Sequence, residues 1–281
     1  MSVLDYFKSV PSLSADEVRA FLKDKTPGEY NLLDVRQPKE YKQEHLPGAK
    51  LIPLNELHER MGELSSGQPT IVYCAIGGRS RAAASLLGES GFAPVYNMKG
   101  GIKAWNGLAV EGPPETGMAY FSQKEKPAEM LLLAWALEEG TRRFYEAMSE
   151  QTDDAAANKI YTDLKKVEAA HQKAIVKLYR AVTGKSPDRN SQVFNTYLSS
   201  EEGEQLMEGQ LKLAEVLAWA QGRPLQEVLA HSIALEAQLY DLYFRLKDKY
   251  KEGNLHQVFS TLATEEKKHL DQFSHLLDQN L

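Results

Sequence analysis

Two carboxylate–histidine pairs lie in the second half of the chain, Glu168-x-x-His171 and Glu266-x-x-His269. In a helix, residues three apart share one face about a turn apart, so each pair can hold a single cation. A lone glutamate stands thirty residues upstream of each Glu-x-x-His glutamate, Glu138 and Glu236, and all of these positions repeat at an offset of 98 residues. The repeat also takes in Leu137 with Leu235 and Tyr145 with Tyr243, the tyrosines falling seven residues past the first glutamate of each half. A duplicated helix hairpin accounts for the offset. One Glu-x-x-His on a solvated helix is ordinarily surface charge. Two of them, each with its own upstream glutamate, match the ligand set of carboxylate-bridged two-metal bundles. Four carboxylates balance two divalent ions and two imidazoles add a nitrogen each, which suits iron or manganese. The candidate ligands are therefore Glu138, Glu168, His171, Glu236, Glu266 and His269. Glu139 and Glu265 break the symmetry and are left out. His231, His256 and His275 lie outside the repeat and read as ordinary surface or core residues.

A second chemistry centres on Cys74, in Thr70-Ile-Val-Tyr-Cys74-Ala-Ile-Gly-Gly-Arg79-Ser80. The cysteine follows an apolar strand-like run and precedes a helical one, Arg79 to Leu87. Backbone amides in a glycine-containing turn, with the end of a helix behind them, favour an anion and so lower a thiol pKa. Gly77 and Gly78 allow the turn to close, and Arg79 and Arg81 add positive charge. A buried core cysteine is the alternative, the common state of a lone Cys.

The elements that must carry these residues differ between the two halves. Asn31–Val35, Lys50–Pro53, Thr70–Tyr73 and Pro94–Met98 are short apolar runs separated by helical patterns, the first opened by Ser14 with Glu17 three residues on, a capping box. This alternation predicts an α/β domain with a parallel sheet over residues 1–112. A Pro-, Gly- and charge-rich stretch follows, read as a linker over 113–127. From 128 to 281 the β signal disappears. Helices are predicted over Ala128–Gln151, Ala155–Thr183, Pro224–Lys251 and Leu255–Leu277, with Glu204–Ala220 helical inside one long crossover, which describes an all-α ferritin-like four-helix bundle.

Composition narrows the function classes. The chain has 281 residues, enough for two ordinary domains. Up to Lys126 the charges cancel, and the whole net charge of −6 lies beyond it. An acidic half argues against a nucleic-acid partner. No run approaches a membrane span, the start carries acids where a secretory signal would be apolar, and a single cysteine fits a reducing compartment. A cytoplasmic location without a membrane partner is expected.

The first half resembles the rhodanese sulfurtransferases over about residues 12–110. The loop matches C-x-x-G-x-R-S. Asp34-Val-Arg36, Glu40-Tyr41 and His45-Leu-Pro-Gly-Ala49 resemble D-x-R…E-[FY]…G-H-[IL]-P-G-A, and Val95-Tyr96-Asn97 with Gly100-Gly101 and Trp105 resembles the closing motif. Glu44, Met98 and Lys99 depart from the pattern. The resemblance implies that Cys74 is a nucleophile carrying sulfane sulfur as a persulfide from a small-molecule donor to a thiol acceptor. The amides of Ala75, Ile76, Gly77, Gly78, Arg79 and Ser80 would cradle the sulfur, Arg79 would help position an anionic donor, and Asp34 and Arg36 would brace the loop. Six residues from Cys74 to Arg79 is the length of the sulfur-transferring members, so phosphatase activity is not expected.

The second half resembles the rubrerythrin branch of the ferritin superfamily over about 128–279, on E-x(6)-Y and E-x-x-H, each present twice. That implies a di-iron cofactor, with manganese as the alternative, and redox chemistry on peroxide, oxygen or a sulfur species. Rubrerythrins often carry a four-cysteine iron site for electron supply. Cys74 is the only cysteine here, so an external electron donor or sulfur itself is implied. The bundle resemblance also implies a homodimer through the helical domain. Two readings follow: a sulfurtransferase coupled to a redox di-iron centre, and a non-catalytic sulfur carrier or sensor with a structural or iron-storing bundle.

Overall fold

A computed structural model describes residues 10–107, 109–112, 126–187, 205–250 and 252–280, the side chains of 210 and 271–280 excepted. The chain divides into two compact units between Thr116 and Gly117, inside the segment read as a linker.

The first unit is a five-stranded parallel sheet, β1 Ser12–Leu13, β2 Asn31–Asp34, β3 Lys50–Leu51, β4 Thr70–Tyr73 and β5 Val95–Met98, in the order β1-β5-β4-β2-β3. Strand β1 was not foreseen from sequence; two residues are too short for a period-2 pattern to register. Its helices are α1 Ala15–Lys23, α2 Pro38–Gln43, α3 Leu57–Arg60 and α4 Gly78–Glu89. Ser14 and Glu17 form the expected capping box on α1. Strand β4 is buried throughout, which is why it reads as the continuous run Thr-Ile-Val-Tyr. One apolar cluster, with Leu33, Val72 and Leu87, covers one sheet face, and another, with Leu32, Ile71 and Tyr73, covers the other. Parallel strands deliver their carboxyl ends to one edge, so Asp34, Tyr73 and Cys74 emerge side by side.

The second unit is helical. Helix α5 Pro127–Gln151 pairs with α6 Ala155–Thr183, and α8 Leu225–Lys249 pairs with α9 Gly253–Asn280. Asp154 caps α6 by accepting from the amides of Ala156 and Ala157. Each long helix hides at least one glutamate among leucines on its inward face.

The crossover corrects one expectation. Of Glu204–Ala220, only α7 Leu213–Ala220 is an α-helix. Residues 205–212 form a bridged turn in which Leu206 pairs with Lys212, and Gly209 sits at φ 71°, a left-handed conformation no α-helix contains. Residues 188–204 lie outside the described ones, as does the linker from 113 to 125. No described helix is long and apolar enough to cross a membrane.

Candidate metal centre and cysteine loop

The duplicated hairpins bring all six sequence-selected ligands together. Glu138, Glu168, Glu236 and Glu266 are 0% exposed, and His171 and His269 are 6% and 3%. The contacts repeat with the 98-residue offset. His171 Nδ1 lies 2.9 Å from Glu138 Oε1, and His269 Nδ1 lies 3.0 Å from Glu236 Oε2. Across the hairpins, His171 Nε2 is 3.6 Å from Glu266 and His269 Nε2 is 3.4 Å from Glu168. The imidazole centroids are 5.6 Å apart. Ligand atoms of Glu138, His171 and Glu266 lie within 4.8 Å of one another, as do those of Glu236, Glu266 and His269. Glu266 belongs to both clusters, so it stands where one carboxylate can reach two cations.

A seventh residue joins them. Glu208, from the crossover turn, is 1% exposed and places a carboxylate oxygen within 4.8 Å of those of Glu138 and Glu168. The turn is pressed onto α5 at Gly140, where an added Cβ would lie 2.1 Å from the Leu206 carbonyl oxygen. Gln205 Nε2 donates to the Ala136 carbonyl and the Glu208 amide donates to Thr141 Oγ1, 3.3 Å each. Glu208 is outside the repeat, so symmetry could not reveal it. Its signals are an acid inside Leu206-Met207-Glu208-Gly209 and an isolated glycine in mid-helix at 140, which marks a close approach.

The electrostatics of the cluster call for cations. Burial pushes Glu168 and Glu208 well above the ordinary carboxylate range, neighbouring carboxylates adding to the effect, and raises Glu266 to about 7. Burial alone would lower His171, but Glu138 and Glu266 push it up to about 10. Neither oxygen of Glu138, Glu168, Glu208, Glu236 or Glu266 receives a hydrogen bond of good geometry from the described residues. Buried carboxylates left in that state cost several kcal/mol each unless protons or cations compensate. Oxygen and imidazole donors facing a common interior fit divalent iron or manganese. Tyr145 and Tyr243 are also buried here, their phenols raised well above 10 by burial and by the neighbouring carboxylates.

Residues left out of the ligand set serve elsewhere. Glu139 binds Arg142, Arg143 and Gln172; Glu265 pairs with Lys268. His231 packs against Trp219 with the two rings tilted by 40°, and His256 Nδ1 meets the carbonyls of Lys247 and Tyr250. His275 lies outside the described side chains.

In the first unit Cys74 follows β4 directly. Gly77, at φ 101°, turns the chain into α4. The Gly77 amide donates to Cys74 Sγ at 3.1 Å, and the Ser80 hydroxyl lies 3.4 Å from it and 2.7 Å from Asn97 Oδ1. Burial opposes ionisation, but the hydrogen bonds of Ser80, Ile76 and Gly77 outweigh it and hold the thiol below its ordinary 9.0. Gly101 (φ 58°) packs against the loop's start, where a Cβ would lie 2.2 Å from the Cys74 carbonyl oxygen. Ala75 and Gly78 complete the small, uncharged run, and Ile76 projects outward, 68% exposed.

The braces differ from one another. Asp34 holds Arg36 through its amide, Nε and Nη2, and Arg36 donates on to the Glu44 carbonyl and lies 5.6 Å over the Tyr73 ring. That fixes the residue just before Cys74. Arg79, expected to face a donor, forms a bidentate pair with Glu40, 2.7 Å at both contacts.

Comparison with known proteins agrees with this division. Residues 14–108 match the family model "Rhodanese-like domain", and residues 129–277 match "Rubrerythrin". A "Sulfurtransferase" of Allochromatium vinosum is 36% identical over 84 residues, 29% of this chain and 78% of the relative. YqhL of Bacillus subtilis is 42% identical over 76 residues, 27% of this chain and 60% of the relative. The chain spans between 37% and 60% of the length of three of the curated relatives it matches. The crystal structure of a rhodanese-related protein from Thermoplasma volcanium is 30% identical, covering 36% of this chain and 97% of that one, with a TM-score of 0.33.

Proposed function

The chain belongs to the rubrerythrin family and carries a rhodanese-like domain ahead of that match, and from this premise we propose that it is a sulfurtransferase whose Cys74 carries sulfane sulfur as a persulfide, coupled to a two-iron centre in the helical unit. The supporting observation for the first half is the loop itself. Cys74 Sγ faces amide and hydroxyl donors, with no carboxylate among its hydrogen-bond partners in the described residues, a setting that stabilises a thiolate and, one atom further out, a persulfide.

In this reading the thiolate attacks the sulfane sulfur of a small donor. A sulfur–sulfur bond forms, and the donor's bond to that sulfur breaks with its electron pair leaving on the donor remnant. A thiol acceptor then attacks the terminal sulfur, and the pair returns to Cys74 Sγ. The loop amides and Ser80 hold the negative charge at each stage, so little reorganisation is needed.

In the helical unit Glu138, Glu168, His171, Glu236, Glu266 and His269 would hold the two ions, with Glu208 as a further carboxylate. Bound there, iron supplies one-electron chemistry toward peroxide, oxygen or a sulfur species. The chain's own contribution is a set of ligand positions buried from solvent and two buried phenols, Tyr145 and Tyr243, protonated at neutral pH and able to donate toward the centre. Electrons would come from an external donor or from sulfur.

The test is direct. Protein is mixed with thiosulfate and a thiol acceptor, Cys74 is followed by mass spectrometry and sulfide release by colorimetry. Repeated turnover that is lost in Cys74→Ser supports the enzyme. A single loading without turnover would favour a carrier. If metal removal leaves the fate of the Cys74-bound sulfur unchanged, the coupling is wrong.

A further inference from the structure

Within the loop from Cys74 to Ser80, Arg79 is the one charged residue, and it is already occupied. Both of its outer nitrogens donate to Glu40, each at 2.7 Å. The two side chains are 35% and 32% exposed, so the pair sits at the surface beside the loop and not in the core. Glu40 is fixed in turn from α2, where the Gln37 amide donates to Oε2 at 3.1 Å. The Arg79 hydrogen bonds hold its carboxyl at about 2, so the charge is present throughout the neutral range. Arg36, whose guanidinium braces Tyr73, is committed to buried Asp34. The outward-facing residue is apolar Ile76. A loop built from amides, a hydroxyl and a neutralised arginine stabilises one negative charge on sulfur well but offers little to a second.

We propose that Glu40 sets the charge preference of the Cys74 site: by pairing with Arg79 it turns the loop toward sulfane-sulfur donors of low negative charge, such as organic persulfides and thiosulfonates, and away from dianionic thiosulfate. This rests on the sulfur-transfer reading. Glu40 is a positioning residue, acting on the donor through Arg79 and through its own field. The step balances for each donor. The Cys74 thiolate bonds to the outer sulfur and that sulfur's bond to the donor remnant breaks, the electron pair leaving on sulfite from thiosulfate, on a sulfinate from a thiosulfonate, or on a thiolate from an organic persulfide. The difference is the charge brought in against the thiolate. A field that costs a monoanion a given factor costs a dianion about the square of it.

Thiosulfate and the methanethiosulfonate anion separate this cleanly, because a methyl group replaces one charged oxygen on nearly the same frame. Steady-state kcat/KM for both donors is measured on the full chain, alongside the mass of Cys74. Glu40→Gln keeps an oxygen for the Gln37 amide while removing the charge. It should raise kcat/KM about fivefold for thiosulfate and about twofold for methanethiosulfonate. Arg79→Gln leaves Glu40 uncompensated and should act in the opposite direction, again more strongly on thiosulfate. The double variant should return the ratio of the two donors to its original value. Equal changes for both donors, or a double variant whose donor ratio stays displaced from the parent's, would overturn the assignment while sulfur transfer stands. A Cys74 that takes sulfur from neither donor in any variant would remove the sulfur-transfer reading and this assignment with it.

Discussion

Gly140→Ala is a one-methyl change with a calculable consequence. Alanine normally stabilises a helix interior over glycine by about 0.8–1.0 kcal/mol. At position 140 the new Cβ would sit 2.1 Å from the Leu206 carbonyl oxygen, 2.7 Å from Met207 Cα and 2.8 Å from the Leu206 carbonyl carbon, all of them backbone atoms. Ordinary contact begins near 3.4 Å, so the turn must retreat by more than an ångström. A backbone overlap this deep belongs in the upper part of the roughly 1–3 kcal/mol that overpacking costs, about 2–3 kcal/mol, which leaves a net loss of about 1–2 kcal/mol after the helix gain. For a unit of this size that is a fall of about 3–6 °C in melting temperature. The retreat also carries Glu208 away from Glu138 and Glu168, and metal affinity should fall about tenfold. The assay is thermal melting followed by far-UV circular dichroism, with Mn(II) titration of the chelator-stripped protein. Gly88→Ala serves as the control. Gly88 lies in α4 with nothing within 4 Å of the position a Cβ would take, and the change should raise the stability of the first unit by about 0.5–1 kcal/mol. A Gly140→Ala protein as stable as the parent, with unchanged metal affinity, would refute the docking of the turn.

Three other outcomes are expected. Ser80→Ala removes a hydrogen bond to Cys74 Sγ and should raise the thiol pKa by about 0.5–1 unit, read from the pH dependence of iodoacetamide alkylation; an unmoved profile would assign the thiolate to the amides alone. Gly101→Ala drives a methyl into the Cys74 and Ala75 backbone and should abolish sulfur loading while the helical unit melts as before. Burial would raise Glu139, but Arg142, Gln172 and Arg143 hold it near 2, below the ordinary 4.5, so its contribution is complete above that value and is lost as the pH falls toward 2. Glu139→Gln should therefore cost the helical unit about 1–2 kcal/mol at pH 7 and much less at pH 2.5 in urea titrations.

How far the sequence reaches depends on whether the physical cause is local or repeated. Glu138, Glu168, His171 and their 98-residue images are legible because ligand chemistry demands helical spacing twice over, and coincidence rarely does. The Cys74 turn is legible because Gly77 and Gly78 follow the cysteine within four residues, immediately after a fully buried strand. Glu208 escapes because it comes from a single-copy crossover, placed by a tertiary contact with Gly140 and not by any period. Helical propensity over Glu204–Ala220 loses to the same contact, since Gly209 must turn left-handed to bring the segment back. The commitment of Arg79 to Glu40 is equally nonlocal: the residues are 39 apart, and only the parallel sheet places α2 beside the start of α4.

Iron stoichiometry probes the account at its root. The chelator-stripped chain is titrated anaerobically with Fe(II), desalted and analysed for iron and protein, beside Glu266→Gln and the far-surface change Lys159→Gln. About two irons per chain are expected for the parent and Lys159→Gln, falling to one or fewer in Glu266→Gln, whose carboxylate faces both histidines. A chain that retains no iron, or a Glu266→Gln protein that retains as much as the parent, would contradict a shared two-cation centre among these buried carboxylates.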